Sequence, residues 1–218
     1  MIPRTETIAV GTHGRYVVAP ASADRAPLLV GFHGYGETAE AQLERLRSIP
    51  GTDRWTVVSI QGLNRFYQRR SNEVIAGWMT RQDRELAIAD NLAYVAAVVT
   101  AESPKGLDSH GVVFAGFSQG VAMAFRAATA AAHPIIGVVA AGGDVPPELD
   151  RARLARVRHV LLCRGARDEW YTPATFERDQ ARLRDANVEV TAVEFDGTHE
   201  WSNAVVEAAG KFLLERVK

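Results

Sequence analysis

A serine between two glycines, in Gly116-Phe117-Ser118-Gln119-Gly120, joins an apolar run to a helical one, and this junction constrains the chain more than any other feature. Residues 110–117 read as a buried strand, opened by His110 and carrying Val112, Val113, Phe114 and Ala115 in one continuous run. Residues 121–132 read as an alanine-rich helix. A turn that joins the two directly is too sharp for ordinary backbone. Glycines on either side let strand and helix approach without a Cβ clash, leaving the serine strained with its hydroxyl over the helix N-terminus. Unpaired N–H groups at that helix end supply positive potential where an oxyanion would form. This is the local geometry of a nucleophile elbow.

The remaining sequence alternates short apolar strands with helices. Residues 8–10 and 15–19 read as an antiparallel pair turned at Gly11-Thr12-His13-Gly14. Strands follow at 27–32 and 55–60, with a helix over 39–48 between them. A long helix spans 83–101, with Leu86, Ala89, Ala93 and Ala97 on one stripe. Beyond the elbow come strands at 135–141, 159–163 and 188–195 and helices over 173–186 and 201–217. Repeated strand–helix units after an antiparallel pair predict a mostly parallel central sheet with helices on both faces. Residues 61–81 form one long irregular connection, a length that in compact domains marks a functional or mobile loop.

Composition narrows the class. With 218 residues, 47% hydrophobic and 23% charged, the chain can bury one core, and residues 1–218 are expected to form a single domain. A formal net charge of −1 argues against nucleic acid as a partner. The start, Met1-Ile2-Pro3-Arg4-Thr5-Glu6, lacks a signal-peptide layout and no run is apolar enough for a membrane span, so a cytoplasmic protein is expected. The single cysteine, Cys163, lies mid-strand and reads as a core filler. No phosphate loop, zinc spacing or dinucleotide fingerprint occurs, so neither a cofactor nor a metal is expected.

Sheet geometry screens the partners of Ser118. Strand C-termini emerge on one edge of a parallel sheet, and ligands bind there. His110 and His159 precede their strands and fall at the other edge, ~15–20 Å away at ~3.3 Å per residue. His133 ends the helix that leads away from the serine, and His13 lies in the early hairpin turn. His33 is at the right edge but precedes the serine, whereas the α/β-hydrolase order is Ser, acid, His. His199 remains, in the loop after the last strand. The acid must leave the same edge between the two. Asp168 fits, in Arg164-Gly165-Ala166-Arg167-Asp168, and Asp144, after Gly142-Gly143, is its rival. Asp196 is too close to His199 in sequence to approach from across the sheet. Oxyanion donors are expected from the N–H of Gln119 and that of Tyr35, in His33-Gly34-Tyr35-Gly36, a loop that His33 is placed to brace.

With these residues in hand, the chain resembles the carboxylesterase/phospholipase family of α/β hydrolases, which includes bacterial carboxylesterases and acyl-protein thioesterases. The elbow followed by Ala122-Met123-Ala124, then His33-Gly34-Tyr35-Gly36, Trp78, Asp168 and His199, carry the resemblance over residues 27–215. It implies an α/β-hydrolase fold without a large cap domain and a metal-independent serine hydrolase acting on esters or thioesters through Ser118, Asp168 and His199. Family members commonly follow the acid with a small apolar residue and Val-Pro. Here the acid is followed by Glu169-Trp170-Tyr171-Thr172-Pro173, and His199 by Glu200-Trp201.

Trp78, Trp170, Tyr171 and Trp201 therefore stand as candidates for a substrate-pocket wall, with packing of the loops against each other as the alternative. Arg65, Arg69, Arg70 and Arg81 read as a solvated basic face that could otherwise meet an anionic group. The expected partner is a small soluble ester cleaved through an acyl-enzyme, with short acyl groups favoured. An acyl-thioesterase or lysophospholipase is the runner-up, a non-catalytic ligand-binding module the rival of another class, and a homodimer is compatible with the chain.

Overall fold

The computed structural model describes residues 3–23, 26–103 and 111–216. Its elements in chain order are β1 (Tyr16–Ala19), β2 (Leu28–Phe32), α1 (Ala39–Arg47), a 3₁₀ turn at Thr52–Arg54, β3 (Thr56–Ile60), β4 (Asn64–Tyr67), β5 (Val74–Gly77), α2 (Arg84–Glu102), β6 (Val112–Phe117), α3 (Gln119–Ala130), β7 (Ile135–Ala141), α4 (Arg151–Leu154), β8 (His159–Gly165), α5 (Pro173–Asp185), β9 (Glu189–Phe195) and α6 (Asn203–Leu214). His110 and Val217, which the sequence places at the start of the elbow strand and the end of the last helix, lie outside the described residues.

Seven strands form one sheet in the order β1-β3-β2-β6-β7-β8-β9. Only β1 runs antiparallel, against β3, and every other pair is parallel. Side chains of successive strand residues face opposite ways, and this period divides the core in two. Leu28, Val30 and Phe32 of β2 and Val112 and Phe114 of β6 join Val95, Val98, Val121, Phe125 and Leu183 of α2, α3 and α5. Leu29, Val113, Ala115, Phe117 and Cys163 join Leu46 of α1 and Val205, Phe212 and Leu213 of α6. Helices thus cover both faces, and the central strands β2 and β6 are apolar and buried throughout because neither face meets water, whereas the edge strand β9 is largely exposed. Burial pushes the Cys163 thiol up to about 12, so it fills space as an un-ionised group. Among the described residues no helix is long and apolar enough to cross a membrane.

Three expectations are corrected. Residues 8–10 form no strand, and Ile8 and Val10 are exposed; β1 pairs instead with β3, where Tyr16↔Ile60 to Ala19↔Val57 bury its inner face. On α2, Leu86, Ala89, Ala93 and Ala97 face solvent, while Asn91, Val95, Val98 and Val99 are buried. Alanine is apolar but offers little area, so the branched valines decide which face turns inward. Residues 61–81 are not irregular throughout, since β4 and β5 pair as a two-stranded hairpin outside the main sheet. A single bridge, Glu37↔Ala76, ties this hairpin to the loop after β2.

Candidate active site

Ser118 stands where β6 meets α3, with φ 51° and ψ −122°, a conformation a non-glycine residue adopts only under constraint. The constraint is close packing on both sides. A Cβ on Gly120 would sit 2.1 Å from the Phe32 carbonyl oxygen, and one on Gly116 would sit 2.5 Å from that of Gly120. Only glycine lets α3 start this near β2 and β6. Ser118 N–H donates to Ala141 O at 2.9 Å, which fixes the turn to the neighbouring strand.

The loops after β8 and β9 bring the partners. His199 Nε2 lies 2.9 Å from Ser118 Oγ, and His199 Nδ1 lies 2.8 Å from Asp168 Oδ2. Asp168 Oδ1 accepts the backbone N–H groups of Trp170 at 2.8 Å and Tyr171 at 2.9 Å, so the carboxylate is buried yet fully partnered. The structure brings Ser118, His199 and Asp168 into one hydrogen-bonded chain. Asp144 is exposed in the lining of the same cleft, and Asp196 pairs with Arg167 at the surface.

The loop after β2 is clamped so that one donor stays free. Gly34 N–H donates to Glu37 Oε2 at 2.7 Å, Gly36 N–H to Ala76 O at 2.8 Å and Glu37 N–H to Gly34 O at 3.3 Å. Tyr35 N–H has no partner among the described residues. Gln119 is the first residue of α3, where backbone N–H groups lack intrahelical acceptors. Its side chain accepts from Trp78 N–H at 2.8 Å and donates to Met79 O at 3.2 Å, fixing the segment after β5 against the helix end.

His33 braces this loop from below. Its Nδ1 lies 2.7 Å from Gly34 O and its Nε2 accepts Gly62 N–H at 3.0 Å, which assigns the proton to Nδ1. Burial lowers its pKa, keeping the ring neutral in that role. Glu37 is gripped by Arg45 through two 2.6 Å bonds. Burial pushes the Glu37 carboxyl up, but Arg45 and the Gly34 N–H outweigh it and hold the group below its usual range.

The four aromatic pocket candidates divide. Trp170 is 83% exposed, lines the cleft and has its ring centroid 6.4 Å from that of His199. Tyr171 reaches the cleft wall but is buried, donating its hydroxyl to Asp179 Oδ2 at 3.3 Å. Trp78 is no pocket wall: it is fully buried, its indole N–H donating to His33 O at 2.8 Å, so it supports the loop after β2 from within. Trp201 also lies off the cleft, half-buried with its ring against Phe117. In both cases the large apolar ring found a core partner that sequence proximity does not reveal.

The cleft itself has a volume of about 400 Å³ and opens beside Ser118 and His199. Its lining includes Arg84, Arg126 and Arg178, from α2, α3 and α5, which the sequence reading passed over. The signal was present for Arg126, eight residues beyond Ser118 and therefore on the same side of α3. Arg65, Arg69, Arg70 and Arg81 are exposed and do not line it.

Residues 13–216 match the Phospholipase/Carboxylesterase family. A comparison with curated proteins gives no match. Among solved structures, acyl-protein thioesterase 2 of Zea mays aligns with a TM-score of 0.72 at 18% identity, covering 94% of this chain and all (100%) of that one. The carboxylesterase of Bacillus cereus gives 0.70 at 18% identity, covering 93% and 94%. A phospholipase/carboxylesterase of Dyadobacter fermentans gives 0.69 at 21% identity, covering 94% and 99%. Likeness at such identities is one of fold; the family match, which spans nearly the whole chain, goes further, and the protein is an ester hydrolase belonging to the phospholipase/carboxylesterase family of α/β hydrolases.

Proposed function

We propose that the protein cleaves small carboxylic esters through an acyl-enzyme on Ser118. The observation that carries this reading is the unbroken hydrogen-bonded chain from Ser118 Oγ through His199 to Asp168. Ser118 Oγ attacks the ester carbonyl while His199 Nε2 takes its proton. Asp168 holds Nδ1–H and stabilises the imidazolium that results. The tetrahedral oxyanion accepts from the N–H groups of Tyr35 and Gln119, both without other acceptors among the described residues and the latter at the positive end of α3. Collapse expels the alkoxide, which His199 protonates; water then attacks the acyl-enzyme by the same route in reverse.

Small substrates are favoured because Met79, Ala122, Pro146, Pro147 and Trp170 are the apolar lining of a short cleft that three arginines interrupt. A long acyl chain would leave methylenes in water or against guanidinium groups, forgoing about 0.8 kcal/mol for each one left unburied. The test is labelling with a fluorophosphonate and turnover of p-nitrophenyl acetate. Stoichiometric modification of Ser118 and many turnovers per site are expected. Turnover without labelling at Ser118 sinks the assignment of the nucleophile, and labelling without turnover favours a binding module.

A further inference from the structure

Arg126 is almost wholly buried, its side chain 3% exposed, yet it lines the cleft that holds Ser118. Its Nε and Nη2 both donate to Glu148 Oε1, at 2.7 and 2.5 Å. The remaining nitrogen, Nη1, finds only the thioether of Met79, with Sδ 3.6 Å away, itself part of the cleft lining. A thioether is a weak acceptor, so within the cleft lining a buried guanidinium nitrogen has no oxygen acceptor among the described residues. Burial lowers the Arg126 pKa, but a guanidinium stays charged, so the demand for an acceptor persists.

Geometry relates this edge to the reacting centre. Ser118, Ala122 and Arg126 are spaced by four along one face of α3, and the small Ala122 between them leaves a groove. Eight residues rise ~12 Å along the helix axis, and a helical side chain leans back toward the N-terminus. Arg84 and Arg178 share that lining, and Asp144 is its single carboxylate among the described residues. Glu148 and Asp179 hold these arginines from behind, Glu148 Oε2 lying 3.7 Å from Arg84 and Asp179 Oδ1 3.0 Å from Arg178. Cationic groups held on such a frame meet an anion with little loss of side-chain freedom.

We propose that Arg126 is a specificity-determining residue and that the preferred substrates are esters bearing a carboxylate a few bonds from the scissile carbonyl. The inference rests on the serine-esterase reading and names the substrate class for that site. The carboxylate belongs to the acyl part, as in a half-ester of a dicarboxylic acid, or to the alcohol part, as in an acylated hydroxy acid.

The experiment measures kcat/KM for monoethyl succinate, glutarate and adipate on the acyl side and for 3-acetoxypropionate and 4-acetoxybutyrate on the alcohol side, each against its uncharged methyl ester. A charged-to-neutral ratio of about tenfold to a hundredfold is expected on one arm, the range a charge-assisted hydrogen bond supports. In Arg126→Gln that ratio falls to about one, and in Arg126→Lys it is partly kept, because the charge remains and the planar fork does not. Wild-type ratios near one on both arms overturn the proposal without any variant, leaving Nη1 satisfied by solvent while the esterase reading stands. A high ratio unchanged in both variants overturns the role of Arg126. Failure of every ester, with Ser118 unlabelled by fluorophosphonate, removes the esterase reading and this inference together.

Discussion

Ser118 combines a strained backbone with a hydroxyl whose one side-chain partner among the described residues is His199, the arrangement the proposed nucleophile requires. Ser118→Ala should lower kcat on a simple ester by about 10⁴-fold or more while leaving the melting temperature unchanged or raised, because alanine removes the proposed nucleophile and touches no structural bond of the side chain. Steady-state kinetics beside a thermal melt checks both parts. The two aspartates offer a sharper comparison. Asp168 Oδ2 meets His199 Nδ1, while Asp144 ends at the exposed wall of the same cleft. Asp168→Asn should cost several orders of magnitude in kcat, since an amide presents N–H to the imidazole and reverses its tautomer. Asp144→Asn should change kcat/KM on neutral esters by no more than about threefold, the scale of a solvent-screened charge. Equal losses in both would contradict the geometry. Sequence order alone favoured Asp168 and kept Asp144 in play, because both leave the correct sheet edge; only the side-chain contact separates them.

The loop between β2 and α1 behaves as a braced element, and its braces titrate. Glu37 and His33 both have pKa values below their unfolded ones. A group with a depressed folded pKa contributes stability above its unfolded value and loses it as pH falls through the folded value. The loss therefore begins below about pH 6.5 for His33 and below about pH 4.3 for Glu37. Glu37→Gln should destabilise the protein at pH 7 by about 2 kcal/mol, by breaking the Arg45 fork, and should flatten the stability curve at its acid end. Melting temperatures from pH 7 to pH 3 for both proteins test this; parallel curves would rule out Glu37 as a source of the acid limb. On α2 the observed inward face makes a further prediction. Val95→Ala should cost about 1–3 kcal/mol through lost burial and a cavity, whereas Ala93→Ser should fall within about 0.5 kcal/mol, in denaturant titrations of each. The reverse ranking would restore the stripe read from sequence.

At the scale of the molecule, a parallel sheet collects the loops after β2, β6, β7, β8 and β9 at one edge, and the groups lining the cleft around Ser118 come from those loops or the helices they start, except Met79 and Arg84, which follow β5. The aromatic residues near Asp168 and His199 show what this convergence leaves to packing. Trp170 stands free on the cleft wall and Trp201 turns inward against Phe117, although they follow Asp168 and His199, respectively, by the same two positions. Across p-nitrophenyl esters from C2 to C12, activity should peak at acetate to butyrate. Trp170→Ala should move the peak to longer chains by opening volume, whereas Trp201→Ala should lower thermal stability with no such shift. A wild-type optimum at C8 or above would defeat the small-ester reading.

Read from residues alone, the elbow, the strand–helix alternation and the order Ser118, Asp168, His199 were legible, because each rests on local chemistry: glycines where Cβ would clash, apolar runs where both sheet faces are covered, and loops that must leave one edge. The β4–β5 hairpin was not, since Asn64-Arg65-Phe66-Tyr67 is polar, exposed and paired only with its own neighbour, so no burial pattern marks it. Nor was the inward face of α2, where several apolar stripes compete and the facing sheet chooses among them. The direction in which an arginine or tryptophan points depends on what lies across the cleft, not on its neighbours in sequence. For that reason Trp78 became a buried prop, and the character of the cleft a property of the tertiary structure alone.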